Sequence, residues 1–379
     1  MARIAEPCVP LPWSIERAAS SSAPRLRIAV LAPLSWRVPP VHYGPWELFA
    51  SLLTEGLVAR GHHVTLFASG NSRTAATLVS AVASGWSEDA TIEPKVAECC
   101  HIANVFERAA DFDVIHNGFD FLPLTYTRLV PTPVVTTIHG FSSPGIVPVY
   151  ARYNDRVAYV AISDADRHPA LRYAATIHHG IDTAAFAGST APGGYLLFFG
   201  RIHPDKGTAD AIAVARRARR PLVIAGIVQD QDYFDREVAP HIDGTQVRYI
   251  GPVASTERVA VLGGALALLH LIGFDEPFGF SVAEALACGT PVIAYDRGSM
   301  RELIDDGRTG CIVRGPDAAV AAVGAVATLD REAIRADAVA RFDVGRMVEA
   351  YVAVYRSLLL SSRRRPGGNG GLGTDEPSA

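Results

Sequence analysis

The chain has 379 residues, enough for two domains of ordinary size, and 49% of them are hydrophobic, so large cores can form. Its 35 Lys and Arg against 39 Asp and Glu leave a net charge of −4, which exerts no general pull on nucleic acid or an anionic membrane. No apolar run reaches the roughly 18–20 residues of a spanning helix, and the five cysteines lack CxxC spacing, as suits free thiols in a reducing cytoplasm.

Residues 1–23 carry Arg3, Glu6 and Arg17 and no apolar block like a signal peptide's, so a disordered tail is predicted, with Trp13 able to make a local contact. Order begins with a buried-type strand over Leu26–Leu31. After a loop rich in proline and aromatics, helix 46–60 places Leu48, Phe49, Leu52, Leu53, Leu57 and Val58 near 3.6 spacing. Gly61 ends it, and His63–Phe67 is the second strand, which makes a Rossmann-type opening. The alternation predicts a helix near 97–110, strand 113–116, a helix near 121–129, strands 133–138 and 157–162, and a short strand near 175–178. A polar Ala/Gly/Pro stretch between Asp182 and Gly194 reads as a hinge. A second unit opens with strand Tyr195–Phe199 and continues through helix 206–219, strand 221–225, strand 246–250 and helix 255–262. Strand 265–269, helix 281–288 and strand 291–294 follow. The last helical pattern, 344–360, has Met347, Val348, Tyr351, Val352, Val354, Tyr355 and Leu358 as its apolar face, and 361–379 reads as a disordered tail. The predicted division is therefore 24–183 and 184–343, two parallel-sheet α/β domains facing one cleft. Ligands of such sheets bind at the carboxyl ends of the strands.

Residues 265–295 organise the rest. His270 to Gly279 is a loop, Ser281 a candidate N-cap for the helix behind it, and Gly289 its stop. Glu276 lies in the loop and Glu284 one turn into the helix. Between them the N–H groups of Gly279, Phe280, Ser281 and Val282 sit at a helix N-terminus, a ready place for a phosphate. Carboxylates repel phosphate but accept hydrogen bonds from sugar hydroxyls. Hydroxyl binders on both sides of an anion cradle suggest a nucleoside diphosphate sugar. The plainer reading is one acid on a solvated helix face and one in a loop.

Glu276-x7-Glu284, with PFGFSVAEALACGTPVIA around it, resembles the signature of retaining glycosyltransferases of family four, which have the two-domain GT-B fold. The resemblance covers roughly residues 26–360. It implies that Glu276 lies against the donor sugar, that Glu284 binds the ribose hydroxyls, and that helix 344–360 crosses back to the first domain.

Other segments fit this frame. Gly200-Arg201-Ile202-His203-Pro204-Asp205-Lys206-Gly207 follows a strand and brings two cations to its carboxyl end, where they can stabilise a departing diphosphate. It resembles the family's segment in which Arg and Lys hold the diphosphate; solvated loop charges are the alternative. In Pro39–Glu47, Gly44 permits close backbone approach to a ligand. The family often has two adjacent glycines there, and Pro45 removes one N–H donor, so a phosphate contact and a purely structural turn both stay open. His139 ends a strand and matches the family's first-domain histidine that contacts the donor sugar. A neutral imidazole can donate to a hydroxyl while backbone fixes its other nitrogen. His116-Asn117-Gly118 and Ser163-Asp164 are candidates for the acceptor side. Tyr249–Val253 resembles the segment that accepts the base through backbone, with Val253 at the donor site.

Several patterns are set aside. Gly368–Gly373 fits GxGxxG, but no strand precedes it. Asp111-x-Asp113, Asp164-x-Asp166 and Asp230-x-Asp232 fit a metal-binding DxD, but the first precedes its strand and the others read as turn or cap acids. His62-His63 and His178-His179 are adjacent pairs, which point apart on strands and chelate poorly. Arg216, Arg217, Arg219 and Arg220 suit a helix C-terminus, with weak membrane-surface or acidic-partner association as the alternative. The reading is a retaining, metal-independent glycosyltransferase acting in the cytoplasm. Its donor is a nucleotide sugar, its acceptor an unidentified saccharide, lipid-linked or small-metabolite hydroxyl, and nucleic acid is no partner. The alternatives are a non-catalytic nucleotide-sugar binder or another GT-B enzyme, such as an epimerase or a phosphorylase.

Overall fold

The computed structural model describes residues 24–41, 43–141, 143–187 and 193–363; the predicted N-terminal tail, His42 and residues 364–379 of the predicted C-terminal tail lie outside these, whereas 361–363, read as tail, continue the last helix. The first sheet holds β1 (Arg27–Leu31), β2 (His63–Phe67), β3 (Thr77–Val79), β4 (Val114–Asn117), β5 (Val134–Ile138), β6 (Val157–Ala161) and β7 (Tyr173–Thr176). The second holds β8 (Tyr195–Phe199), β9 (Leu222–Ala225), β10 (Val247–Tyr249), β11 (Ala265–His270), β12 (Val292–Tyr295) and β13 (Gly310–Val313). Their orders are β3-β2-β1-β4-β5-β6-β7 and β10-β9-β8-β11-β12-β13, with every pairing parallel. Helices cover both faces, so the central strands are buried on both sides; β5, β9 and β11 are buried throughout, Thr136, Thr137 and His270 included.

Strand order reverses between β1 and β4 in one sheet and between β8 and β11 in the other. A crevice opens at such a switch point, beyond the carboxyl ends of the strands. The loops after β1, β5, β8 and β11 carry Gly44, His139, Arg201 and Glu276.

The final helix, Val344–Arg363, belongs to the first sheet's core, where Met347, Val348, Tyr351, Val352 and Tyr355 are buried beside Phe49, Leu53 and Leu57 of helix Pro45–Ala59. The chain crosses where Ile181 bridges Asp343: Ile181 N–H donates to Phe342 O at 2.8 Å and Val344 N–H to Ile181 O at 2.9 Å. Tyr351 and Tyr355 do more than fill the apolar face. Tyr351 Oη meets Thr137 Oγ1 at 2.8 Å, and Tyr355 Oη meets His116 Nδ1 at 2.8 Å.

Some expectations need correction. The helix near 121–129 is a short 3-10 segment, Leu122–Tyr126. Its hydroxyls compete with the backbone: Thr125 Oγ1 donates to Leu122 O at 2.8 Å and Thr127 Oγ1 to Leu124 O at 2.7 Å. Ser281 lies inside helix Phe280–Ala287, whose N-cap is Gly279. Helices Pro316–Val326 and Arg331–Phe342 and strands β3 and β13 were not anticipated. Among the described residues, no helix is long and apolar enough to cross a membrane.

Candidate active site

Every residue singled out for catalysis or donor binding except Val282 lines one cleft of about 260 Å³ between the two sheets. Val282 is fully buried, and its N–H donates to Gly279 O at 3.1 Å, so it offers nothing to a ligand. The N–H groups of Phe280 and Ser281 lie in the first turn of helix Phe280–Ala287, before intrahelical bonding begins.

Two loops bring the charges together. Gly207 has φ +72, and a Cβ there would come within 1.9 Å of Leu271 O, so only glycine lets this turn press against the end of β11. Gly273 N–H donates to Asp205 O at 2.7 Å, tying the Lys206 turn to the Glu276 loop. Ser299 holds that loop from behind: its N–H donates to Glu276 O at 2.9 Å and its hydroxyl to Phe278 O at 2.6 Å. Lys206 Nζ then reaches Glu276 Oε2 at 2.7 Å and lies 4.4 Å from the Phe274 ring centroid.

The other charges are also paired. Arg201 Nη2 bonds Asp205 Oδ2 at 2.7 Å, and its Nη1 bonds Gln229 Oε1. Glu284, 2% exposed, receives Arg258 Nη1 at 2.7 Å. Burial pushes the Glu284 carboxyl up, and Arg258 opposes that shift. Gly200 leaves the floor open, since a Cβ there would meet nothing within 4 Å. Val253 and Pro252 line the cleft beside Arg258.

The opposite side is neutral. Gly44, at φ +146, caps helix Pro45–Ala59, and a Cβ there would sit 2.9 Å from Glu47 Oε2 and Pro40 Cβ. Trp46 stacks on His139 with ring centroids 5.3 Å apart. His139 Nδ1 meets His179 Nε2 at 3.3 Å, so a second imidazole holds it, where backbone was expected. His139 Nε2 is buried without a partner. Burial, with His179 and His116 nearby, holds the His139 pKa well below the ordinary histidine value. His179 is pushed down to about 3, by burial first and His178 second, and stacks on Phe280 at 4.7 Å, joining the two walls.

The acceptor-side candidates are elsewhere. His116 is fully buried against Thr137 and Tyr355. Asn117 Nδ2 donates to Asp120 O at 2.8 Å. Asp164 N–H and Ala165 N–H donate to the Glu302 carboxylate at 2.9 and 2.8 Å. Asp230 caps a helical turn, its Oδ1 accepting Tyr233 N–H at 2.9 Å. Among the described residues, no group of three or more His, Cys, Asp or Glu is placed to hold a metal ion.

Sequence reasoning missed Arg258, His179 and His270. His179 had been set aside as half of a poor chelating pair, and His270 was read as the start of a loop. Arg258 shows no motif at all.

Residues 187–338 match the profile of glycosyl transferases group 1, and residues 47–185 that of glycosyltransferase family 4. A glycogen synthase of Mycobacterium tuberculosis is 35% identical over 172 residues, covering 43% of this chain and 41% of that protein, so the match spans less than half the relative's length. A phosphatidyl-myo-inositol mannosyltransferase of Mycolicibacterium smegmatis is 30% identical over 257 residues, 61% of this chain and 66% of that one. The crystal structure of AviGT4, a glycosyltransferase involved in avilamycin A biosynthesis, superposes with a TM-score of 0.67 at 27% identity, over 88% of this chain and 98% of that chain. The chain thus belongs to the group 1 glycosyltransferases of family four and has their two-domain GT-B fold.

Proposed function

We propose that this protein moves a sugar from a nucleoside diphosphate sugar to an acceptor hydroxyl, with retention at the anomeric carbon and without a metal. One observation carries the reading. Lys206, Arg201, Glu276, Glu284 and the helix N-terminus at Phe280 meet in one cleft at the switch point of the second sheet, and His139 faces it from the first. Lys206, Arg201 and the N–H groups of Phe280 and Ser281 take the diphosphate and stabilise the charge it gains on leaving. The Glu284 carboxylate accepts the ribose hydroxyls. Glu276 and His139 orient the sugar, His139 as a neutral donor through Nε2. The leaving phosphate takes the acceptor's proton on the face it departs from. The acceptor enters along Tyr43 and Trp46, with residues 24–183 and helix 344–360 as the acceptor domain and 184–343 as the donor domain.

The test is a thermal-shift panel of UDP-, GDP-, ADP- and dTDP-sugars, then chromatography of each stabilising donor for released diphosphate. Ligand at about 100 times its dissociation constant adds roughly 2.7 kcal/mol of stability, which such a panel detects readily. One donor should stabilise the protein and be consumed. Stabilisation without consumption, with or without acceptors, would make the protein a nucleotide-sugar binder. No stabilisation by any donor would remove the reading.

A further inference from the structure

His270 is the last residue of β11, at the carboxyl end of the strand beside β8. It lines the cleft and is 6% exposed. Its Nε2 is buried with no hydrogen-bond partner. Glu276 Oε2 lies 3.7 Å from that nitrogen, beyond hydrogen-bond reach. The same oxygen is held by Lys206 Nζ at 2.7 Å. Burial pushes the His270 pKa down to about 4, with Glu276 opposing and Lys206 adding to the shift, so the ring is neutral at neutral pH. A buried polar nitrogen without a partner costs stability, and folds carry such costs where function uses the group.

The Lys206–Glu276 pair poses a chemical problem that His270 answers. Lys206 has three N–H donors but one positive charge, so a diphosphate that engages it competes with Glu276 for that charge and draws the ammonium from the carboxylate. Once it turns to the phosphate, Glu276, whose side chain is only 14% exposed, loses its partner in a partly buried cleft, where an unpaired carboxylate is unfavourable and poorly oriented. We propose that His270 is the positioning residue for Glu276, donating its Nε2–H to the carboxylate when the donor's diphosphate draws Lys206 away. One carboxylate oxygen is then fixed by His270, and the other accepts a sugar hydroxyl. The exchange makes Glu276 ready for the sugar only when a diphosphate is present. It rests on the reading of Lys206 as a diphosphate ligand.

His270→Phe and His270→Gln test this, since Gln keeps an amide N–H near the position of Nε2. His270→Phe should bind the free nucleoside diphosphate within about twofold of wild type and melt no lower without ligand, because it removes an unpartnered nitrogen. Its kcat for donor turnover should fall by about 10-fold or more, the scale seen when a site ligand loses its outer partner, with KM little changed. His270→Gln should recover a large part of that loss. In ¹⁵N NMR of the wild type, the His270 Nε2 resonance should move when the diphosphate is added. A His270→Phe variant with wild-type kcat overturns the proposal, as does a Gln variant no faster than Phe, or an unmoved Nε2 resonance. A Lys206→Ala variant with wild-type diphosphate affinity overturns the underlying reading instead, with His270 intact.

Discussion

The two walls of the cleft solve different problems. The second-sheet wall is dense in charge, and each of its three cations rests on a partner: Lys206 on Glu276, Arg201 on Asp205, Arg258 on Glu284. The first-sheet wall offers rings and dipoles from Tyr43, Trp46, His139 and His179, and burial keeps both imidazoles uncharged. A wall built to receive a dianion must neutralise itself when the ligand is away, because unpaired charges in a partly buried cleft are costly. On the proposed reading, ligand binding on that side is an exchange of partners. The other wall has no charge to exchange and acts through shape and oriented N–H donors. Substitutions on the charged wall should change nucleotide affinity and leaving-group chemistry. Those on the neutral wall should change sugar and acceptor handling.

The largest effect should come from Lys206. Lys206→Ala is expected to slow donor turnover by about 100- to 1,000-fold, the range for one lost electrostatic stabiliser. It also takes the ammonium from Glu276, whose side chain is only 14% exposed, and a neutral His270 does not replace that charge, so its melting temperature should fall. Lys206→Ala/Glu276→Gln should regain the melting temperature but not the turnover. Turnover restored by the second change would assign the pair a structural role and dissolve the contrast between the walls.

Next come the two glutamates, which should separate binding from chemistry. Glu284→Ala is expected to weaken the free nucleoside diphosphate by roughly 1.5–3 kcal/mol, the value of charge-assisted hydrogen bonds to ribose. Glu276→Ala should nearly keep that affinity and lose transfer. Titration calorimetry with the diphosphate and steady-state rates decide between them; equal losses in both variants would end the division of labour.

Much of this site is legible in the sequence because its parts follow strands. β1, β8 and β11 are largely apolar and β5 is β-branched, and the loop that follows each strand is placed by the sheet itself. Glu276, Glu284, Arg201, Lys206 and His139 can be found this way. His270 could not, since it is still within the buried run of β11 and reads as a boundary. Arg258 lies in the exposed-looking pattern of helix Ser255–Gly263 and becomes meaningful only when Glu284 is brought to 2.7 Å. Val282 shows the opposite failure: proximity in sequence to a helix N-terminus suggested a donor, but its N–H already turns back to Gly279. Helices Pro316–Val326 and Arg331–Phe342 escaped because alanine dilutes their apolar faces. Cα geometry was thus more readable than pairing, which depends on side chains from distant segments.

The neutral wall conceals one latent charge. Glu47 is 3% exposed, its Oε1 accepts Trp36 N–H at 3.1 Å, and burial raises its pKa from 4.5 to about 7. A carboxyl with a raised folded pKa contributes stability that is fully present below about pH 4.5 and lost as pH rises through about 7. Glu47→Gln removes the titration and keeps a carbonyl for Trp36. Relative to wild type, the variant should gain on the order of 2 kcal/mol of stability between pH 5 and pH 8. Urea unfolding at both pH values measures it. A difference that does not change with pH would mean that Glu47 is ionised throughout, and that the wall is not neutral.

The smallest effect should attend metal. If the charged wall neutralises the diphosphate with Lys206, Arg201 and the first-turn N–H groups, no divalent ion is needed to share that work. Asp230 and Asp232 are the one DxD pair that follows a strand of the second sheet, β9. Asp230 already has a structural task as the cap that accepts Tyr233 N–H. Asparagine caps as well as aspartate, so Asp230→Asn should fold normally, and Asp232→Asn alters only an exposed side chain. Both variants should turn over donor within a few-fold of wild type, about 1 kcal/mol or less in barrier. Excess chelator should leave the wild-type rate in the same range, and added Mg²⁺ or Mn²⁺ should change it only slightly. A rate that vanishes with chelator, returns with metal and falls in Asp230→Asn would transfer the neutralising role to those carboxylates. The paired cations of the charged wall would then be supports for the loops, and the contrast with the neutral wall would no longer describe catalysis.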